Sequence, residues 1–356
     1  MKIKKHLSAE SWTLLVFLRH FAMFMAVSLA PTHAAGATAA VIGDSYATGA
    51  FANPELILDR IFLRDYIAGE PPQDAAPQLV RLPPTLREFG QSVYWVFENV
   101  LYHFSSQYLD SSSRAWASQL MSDSHLDITS MRIAAYDGAP LSSFNRQVDR
   151  VLEQKGEFPD YFFVFFNLGD FCFWTHNDIP SADDYYAQLI NGVRYIARNK
   201  PAGKEVKVFF MDPIGVLQLF ESHKIATKVV STRGKPLTCG DVYKSVTPEP
   251  LSLGGVDPRI ELVSEWLTNF PRNFCPRFFD EESRSEVANA ILGYRAKTAE
   301  MVRYFVQLPV PEVHVRHVTE TAKIQFEPED VANDCLHPSS EGHKKIASAI
   351  STLLQK

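Results

Sequence analysis

Five short runs of apolar, β-branched or aromatic residues recur along this chain, with helix-like stretches between them. The runs are Thr38–Gly43, Met131–Tyr136, Tyr161–Asn167, Val206–Pro213 and Glu312–Val318. Apolar residues recur at helical spacing in the stretches 86–106, 141–154, 182–199, 283–306 and 339–354. Strands that alternate with helices form parallel sheets, because each parallel connection needs a long crossover. The sequence therefore predicts a three-layer α/β/α protein with a five-stranded, mainly parallel sheet, on which the apolar face of the last helix docks.

The length of 356 residues and the apolar content of 46% are sufficient for one large core. We predict a single domain over residues 36–356. Two proline-containing segments, 51–83 and 215–280, interrupt the alternation of strands and helices. Long irregular segments often carry function, and ligands of parallel α/β sheets bind at the carboxyl ends of the strands. We therefore interpret both segments as insertions near that site that form a cap or lid.

Residues 1–35 have the composition of a secretory signal peptide. Basic residues (Lys2, Lys4, Lys5, Arg19) come first, an apolar core follows at 21–30, and small residues lie at 32–35. A retained anchor is the alternative, but Arg19 leaves only about 10 uninterrupted apolar residues, against about 20 in a membrane-spanning helix. We predict an exported bacterial protein, periplasmic or secreted.

The net charge of the chain argues against nucleic acid as a partner. Loss of the first 35 residues removes four basic residues and one acidic residue, which changes the net charge from −6 to −9. No predicted helix carries the basic stripe that binding to phosphates requires. The sequence also indicates no obligate protein partner.

Four cysteines lie in the exported part, and an even number in an oxidising compartment favours disulfides. Cys172, Cys239, Cys275 and Cys335 allow three connectivities. We expect Cys172 to pair with Cys335, because both lie near predicted site loops, which leaves Cys239 for Cys275. Zinc is the competing interpretation, but no two cysteines are two to four residues apart and no His-Glu-x-x-His motif occurs. We predict no metal and no organic cofactor.

Two short motifs near the ends of the chain carry the predicted chemistry. The first run ends at Gly43-Asp44-Ser45, and Asp334-Cys335-Leu336-His337 precedes the last helix. Alone, the first motif also fits a helix N-cap and the second an ordinary turn. The carboxyl ends of parallel strands meet at one edge, so we expect the motifs to meet there. Ser45 would then be the nucleophile, His337 its base, and Asp334 the group that orients His337.

Two further residues are candidates for an oxyanion hole, which acyl transfer needs. Gly138 follows the second strand and has an amide open to a ligand, although a plain turn glycine fits equally. Asn167 ends the third strand and offers a side-chain amide, although a buried asparagine that satisfies the chain end fits as well. Phe171, Phe173 and Trp174 come next and are candidates for the lining of an acyl pocket. Packing or surface roles are expected for His103, His125, His176, His314 and His317.

These motifs resemble those of the GDSL, or SGNH, hydrolase superfamily, and within it the phospholipase B-like lipases, over about residues 38–354. Gly43-Asp44-Ser45 matches the first block, Tyr136-Asp137-Gly138-Ala139 resembles the second, and Asp334 with His337 matches the last. The absence of a Gly-x-Ser-x-Gly elbow and the position of Ser45 before the other triad residues separate the chain from α/β-hydrolases. The resemblance implies a flavodoxin-like SGNH-hydrolase fold.

The third block departs from the pattern of the phospholipase B-like branch. That branch often has Asn-Asp-Leu-Cys, where this chain has Gly169-Asp170-Phe171-Cys172. Either Asn167 substitutes from two residues upstream, or the oxyanion hole contains only the Ser45 and Gly138 amides.

The resemblance implies an exported serine ester hydrolase that acts on a phospholipid, lysophospholipid or other lipid ester, with transient contact to a membrane surface. Removal of acyl groups from cell-wall or other polysaccharides uses the same triad and is the alternative. The displaced third-block asparagine also leaves open a catalytically weak or inactive binding protein of the same fold.

Overall fold

A computed structural model describes residues 36–49, 114–123, 127–172, 179–231, 237–244, 275–332 and 334–354. The predicted signal peptide, the insertion 51–83 and the helix 86–106 lie outside these ranges. Within them, no helix combines the length and the apolar character needed to cross a membrane.

Seven strands form in the described ranges: β1 (Ala37–Gly43), β2 (Ile128–Ile133), β3 (Tyr161–Phe165), β4 (Val206–Met211), β5 (Val229–Ser231), β6 (Leu237–Thr238) and β7 (Val313–Val318). Five of them form one sheet in the order β2-β1-β3-β4-β7, with every neighbouring pair parallel. β5 and β6 form a small antiparallel pair. The predicted five-stranded parallel sheet is confirmed, and its strand order is that of flavodoxin-like doubly wound sheets.

The helices in the same ranges are α1 (Ser45–Thr48), α2 (Trp116–Met121), α3 (Phe144–Glu153), α4 (Ala182–Asn199), α5 (Gln218–Glu221), α6 (His223–Ala226), α7 (Cys239–Tyr243), α8 (Pro276–Phe279), α9 (Glu281–Gln307) and α10 (Ser340–Leu354). α4 has the predicted bounds, and α3, α9 and α10 lie within two or three residues of theirs. The described parts of the insertion 215–280 form α5 to α8 and the β5–β6 pair.

Helix caps explain where the two longest helices begin. Ser181 accepts a hydrogen bond from the Asp184 N–H before α4, and Asp280 accepts one from the Ser283 N–H before α9. Acidic residues fill the first turn of both helices, where they oppose the positive end of the helix dipole. The N-cap residues and the acidic first turns can both be recognised in the sequence alone.

The central strands are buried along almost their whole length, as expected for parallel strands covered on both faces. All residues of β3 after Tyr161 are buried, as are those of β1 after Thr38. α3 packs against β1, α2 against β2 and α9 against β7. The core therefore holds the carboxyl ends of β1 and β3, where the strand order reverses, in fixed positions.

Two expectations about element placement need correction. β2 spans 128–133 rather than 131–136, although the N–H groups of Ala134 and Tyr136 still donate to β1 carbonyls beyond the strand end. The apolar face of α10 was expected on the sheet, but α10 packs mainly against α2. α2 was not predicted, and it covers β2 itself.

The predicted disulfide pairing is wrong. Cys172 bonds to Cys275, and Cys239 bonds to Cys335. α7 brings Cys239 to Cys335, since the Tyr243 hydroxyl of the same helix donates to the Cys335 carbonyl oxygen. Proximity of each cysteine to a site loop in the sequence does not determine which sulfur lies opposite it in space.

Candidate active site

The end of β1 is fixed by a glycine and a glutamine. Gly43 has a φ of +148°, and a Cβ at this position would lie 2.0 Å from the Phe165 carbonyl oxygen of β3. Gln147 of α3 holds both backbone groups of Gly43: its Oε1 accepts from the N–H at 2.7 Å, and its Nε2 donates to the carbonyl at 3.0 Å. Ser45 therefore lies two residues beyond a strand end that is held in place by these contacts.

Asp44 joins the turn after β1 to the turn after β3. Its Oδ1 accepts from the Tyr46 N–H, while its Oδ2 accepts from the N–H groups of Asn167, Leu168 and Gly169. Burial raises the pKa of Asp44 above its ordinary value, and these four hydrogen bonds oppose that rise. Asp44 is therefore both the N-cap of α1 and the anchor of the residues around Asn167.

The three residues of the predicted triad lie together. His337 Nε2 is 2.9 Å from Ser45 Oγ, and His337 Nδ1 is hydrogen bonded to Asp334 Oδ2. The other carboxylate oxygen of Asp334 accepts from the N–H groups of Leu336 at 3.1 Å and His337 at 3.0 Å. With its proton on Nδ1, His337 can accept the Ser45 proton at Nε2.

Burial and charge act in opposite directions on this pair. Burial lowers the pKa of His337, but the charge of Asp334 and its hydrogen bond outweigh burial, so the pKa lies above its ordinary 6.5. Burial raises the pKa of Asp334, but the charge of His337 and three hydrogen bonds lower it below its ordinary value. Asp334 therefore stays ionised at neutral pH and supports a protonated His337.

We predict that the acid limb of kcat/KM for a reaction in which Ser45 is the nucleophile has its midpoint above pH 6.5. His337 must be neutral to accept the Ser45 proton, and its raised pKa means that it gains a proton at a higher pH than an ordinary histidine. A pH–rate profile of the wild type measures this midpoint. His314→Gln, a change of an exposed histidine on β7, should leave the profile unchanged, and a midpoint below 6.5 would contradict the prediction.

Gly138 and Ser45 both present backbone amides near the end of β1. Gly138 has a φ of +71°, a conformation that glycine adopts without strain. Among the described residues, neither the Gly138 N–H nor the Ser45 N–H has a hydrogen-bond acceptor. The Thr48 hydroxyl donates to the Ser45 carbonyl oxygen at 2.9 Å and lies 3.0 Å from Asp137 Oδ1, so it joins the turn before Gly138 to α1.

The Asn167 side chain is held through one end only. Its Oδ1 accepts from the Ile214 N–H at 2.6 Å, whereas its Nδ2 is buried without a hydrogen-bond partner in the described part of the chain. A buried unpaired amide donor costs free energy, on the order of 1–3 kcal/mol. Buried donors in native proteins are nearly always hydrogen bonded, so a substrate oxygen is a candidate acceptor for Asn167 Nδ2.

Other residues singled out in the sequence lie elsewhere or outside the described ranges. Phe171 is buried in the core against Phe278 and Tyr294, and is not free to line a pocket. The ranges do not include Phe173, Trp174, His103, His125 and His176. A packing or surface role was expected for His317, but its Nε2 lies 2.5 Å from Asp212 Oδ1 at the end of β4. Strand pairing across 105 residues brings them together, which residue spacing does not indicate.

Within the ranges that the structure describes, no group of three or more His, Cys, Asp or Glu side chains is placed to hold a metal ion. The groups that the described residues bring together at the site are Ser45, His337, Asp334 and the nearby amides.

Comparison with protein-family models gave no match, and comparison with curated proteins gave none either. Among solved structures, the chain is similar to the crystal structure of LAE5, described as an alpha/beta hydrolase enzyme from the metagenome of Lake Arreo, Spain. The identity is 13% and the TM-score 0.33, over 90% of this chain and 96% of LAE5. A similarity with this identity and TM-score supports no functional conclusion, so the functional proposal rests on the geometry of the site.

Proposed function

We propose that this protein is an exported serine ester hydrolase of the SGNH type, with Ser45, His337 and Asp334 as its triad. The observation that carries the proposal is the 2.9 Å separation between Ser45 Oγ and His337 Nε2, with Asp334 on the other ring nitrogen. Ser45 is 5% exposed and His337 6% exposed. Their low exposure keeps water from competing for this hydrogen bond.

The reaction proceeds in two halves. Ser45 Oγ attacks the ester carbonyl carbon while its proton passes to His337 Nε2, and the carbonyl oxygen becomes negatively charged. His337 then protonates the leaving alkoxide, the C–O bond breaks, and the acyl group remains on Ser45. In the second half water attacks the acyl carbon, gives its proton to His337, and the acid departs as Ser45 regains its proton. No cofactor takes part.

Three donors are available for the negatively charged oxygen. The amides of Ser45 and Gly138 are the first two, and Asn167 Nδ2 is the third. Two features support Asn167 as the substitute for the displaced third-block asparagine: its Oδ1 is fixed by Ile214, and its Nδ2 lacks a partner among the described residues. A donor held in place before the reaction stabilises the transition state without reorganisation.

We predict that Asn167→Asp lowers kcat by about 10²- to 10³-fold, the typical effect of losing one oxyanion donor. The carboxylate can still accept from the Ile214 N–H, but it cannot donate to the substrate oxygen. Steady-state kinetics with a soluble ester measures the loss. Asn199→Asp, at an exposed position at the end of α4, is the matched control. Equal kcat in both variants would mean that only the two backbone amides serve the oxyanion.

The resemblance to phospholipase B-like lipases favours a lipid ester as substrate, reached by transient contact with a membrane surface. The two disulfides are typical of proteins in oxidising compartments and support export. A series of p-nitrophenyl esters of increasing acyl length tests the substrate class. Faster cleavage of long chains than of acetate is expected; preference for acetate would favour deacylation of polysaccharides, and no cleavage of any ester would favour a binding protein.

A further inference from the structure

The loop 334–337, here called the triad loop, has an internal shape set by its own hydrogen bonds. Asp334 Oδ1 accepts from the backbone of Leu336 and His337, and the Ala332 N–H donates to the His337 carbonyl at 2.8 Å. These bonds do not determine how far His337 lies from Ser45, since all of them connect residues 332–337 to one another. The separation between base and nucleophile must be set by contacts from outside the loop.

Two tyrosines from separate elements supply such contacts. The Tyr46 hydroxyl of α1 donates to the Leu336 carbonyl at 2.7 Å, and the Tyr243 hydroxyl of α7 donates to the Cys335 carbonyl at 2.9 Å. Consecutive carbonyls of the triad loop are thus held by two side chains that belong neither to the triad nor to the proposed oxyanion hole.

Tyr46 is suited to control the separation because it follows the nucleophile directly. Its side chain is fully buried, and its ring centroid lies 5.8 Å from that of His337. Its own backbone is fixed on the other side, where Trp116 Nε1 donates to the Tyr46 carbonyl at 2.9 Å. The residue next to Ser45 therefore contacts both the ring of His337 and the backbone beside it.

α7 holds the triad loop at Cys335 through two contacts. Cys239 and Tyr243 are one helical turn apart, and both attach to Cys335, one through the disulfide and one through the hydrogen bond. Cys335 has a φ of +63°, which is uncommon for a residue other than glycine. Such a conformation persists only where the surroundings hold it, and α7 supplies that support.

We propose that Tyr46 and Tyr243 are positioning residues that set the distance between His337 and Ser45, with Tyr46 as the principal one. This inference rests on the proposed function, since it assigns both tyrosines to the same reaction. Neither touches the reacting atoms through its hydroxyl. Each acts by holding the backbone of the triad loop.

The test compares three variants that each lose one tyrosine hydroxyl bonded to a main-chain carbonyl: Tyr46→Phe, Tyr243→Phe and, as control, Tyr294→Phe. Tyr294 donates to the Pro180 carbonyl at 2.8 Å, outside the triad loop. The three changes should lower the Tm by a similar few degrees, because each removes one comparable bond. A loss of activity confined to the first two is then not an effect of stability.

For Tyr46→Phe we expect kcat to fall about 10- to 100-fold with KM within about twofold, the cost of a small misplacement of catalytic groups. Tyr243→Phe should lose less, because the Cys239–Cys335 disulfide still holds Cys335. Tyr294→Phe should match the wild type. Hydrogen exchange of the peptide that contains 334–339 should rise in the first variant and stay constant in the control.

Equal kcat and equal exchange in Tyr46→Phe and Tyr294→Phe would overturn the inference. A wild-type protein that cleaves no ester would contradict the proposed function instead, and the exchange comparison would still decide whether Tyr46 holds the loop. If Tyr46→Phe does not fold, Tyr243→Phe decides by the same two measurements.

Discussion

Replacing Ser45 with alanine should lower kcat for ester hydrolysis by about 10⁶-fold, the loss seen when a triad nucleophile is removed from serine hydrolases. In the proposed reaction Ser45 Oγ is the atom that bonds to the acyl carbon, and its hydrogen bond to His337 Nε2 links it to the base. The remaining rate would come from binding and from the oxyanion donors. Steady-state kinetics with a chromogenic ester, at enzyme concentrations high enough to detect residual turnover, measures it.

Ser348→Ala is the matched control, since Ser348 is an exposed serine on α10. Ser45→Ala removes a single oxygen atom, and a circular dichroism melt should place its Tm within a few degrees of the wild type. Activity above about 1% of the wild type in Ser45→Ala would contradict the role of Ser45 as nucleophile, because loss of the nucleophile leaves far less.

Asp334→Asn should lower kcat by about 10⁴-fold, the effect of the equivalent change in other Ser-His-Asp triads. The asparagine amide can donate to His337 Nδ1, which places the ring proton on Nε2. His337 then has no lone pair facing Ser45 and cannot accept its proton. The Asn167 and Gly138 donors remain, so binding of a ground-state ester, measured as KM, should change little.

Asp160→Asn is the matched control for the carboxylate change. Asp160 also accepts a backbone N–H bond, from Thr38 at 2.7 Å, and it lies at the opposite, amino-terminal edge of the sheet. Its replacement should leave kcat unchanged. A similar loss in both variants would mean that Asp334 acts on stability rather than on the tautomer of His337.

The sequence predicted those elements whose signals are local. α4 has caps and a spacing of apolar residues that can be recognised within 182–199, and its bounds agree with the structure. β1 and β3 are continuous apolar runs, which is how strands buried on both faces appear. The meeting of Ser45 with His337 followed from the rule that parallel strands end at one edge.

The contacts that support the site could not be predicted in the same way. Gln147 lies 104 residues from Gly43, and Tyr46 lies 290 residues from Leu336. Nothing in the spacing of these residues indicates such partners, because helix packing and strand order bring them together. The predicted disulfide pairing was wrong for the same reason: α7 was not predicted, and its contacts with Cys335 decide the pairing.

Labelling of the purified protein with a fluorophosphonate probe tests the central claim most directly. These probes bond covalently to a serine only when a base activates its hydroxyl. We expect one adduct, mapped to Ser45 by mass spectrometry and absent from Ser45→Ala. No labelling of the wild type, or an adduct at another serine, would contradict the proposal that Ser45, His337 and Asp334 form a working triad.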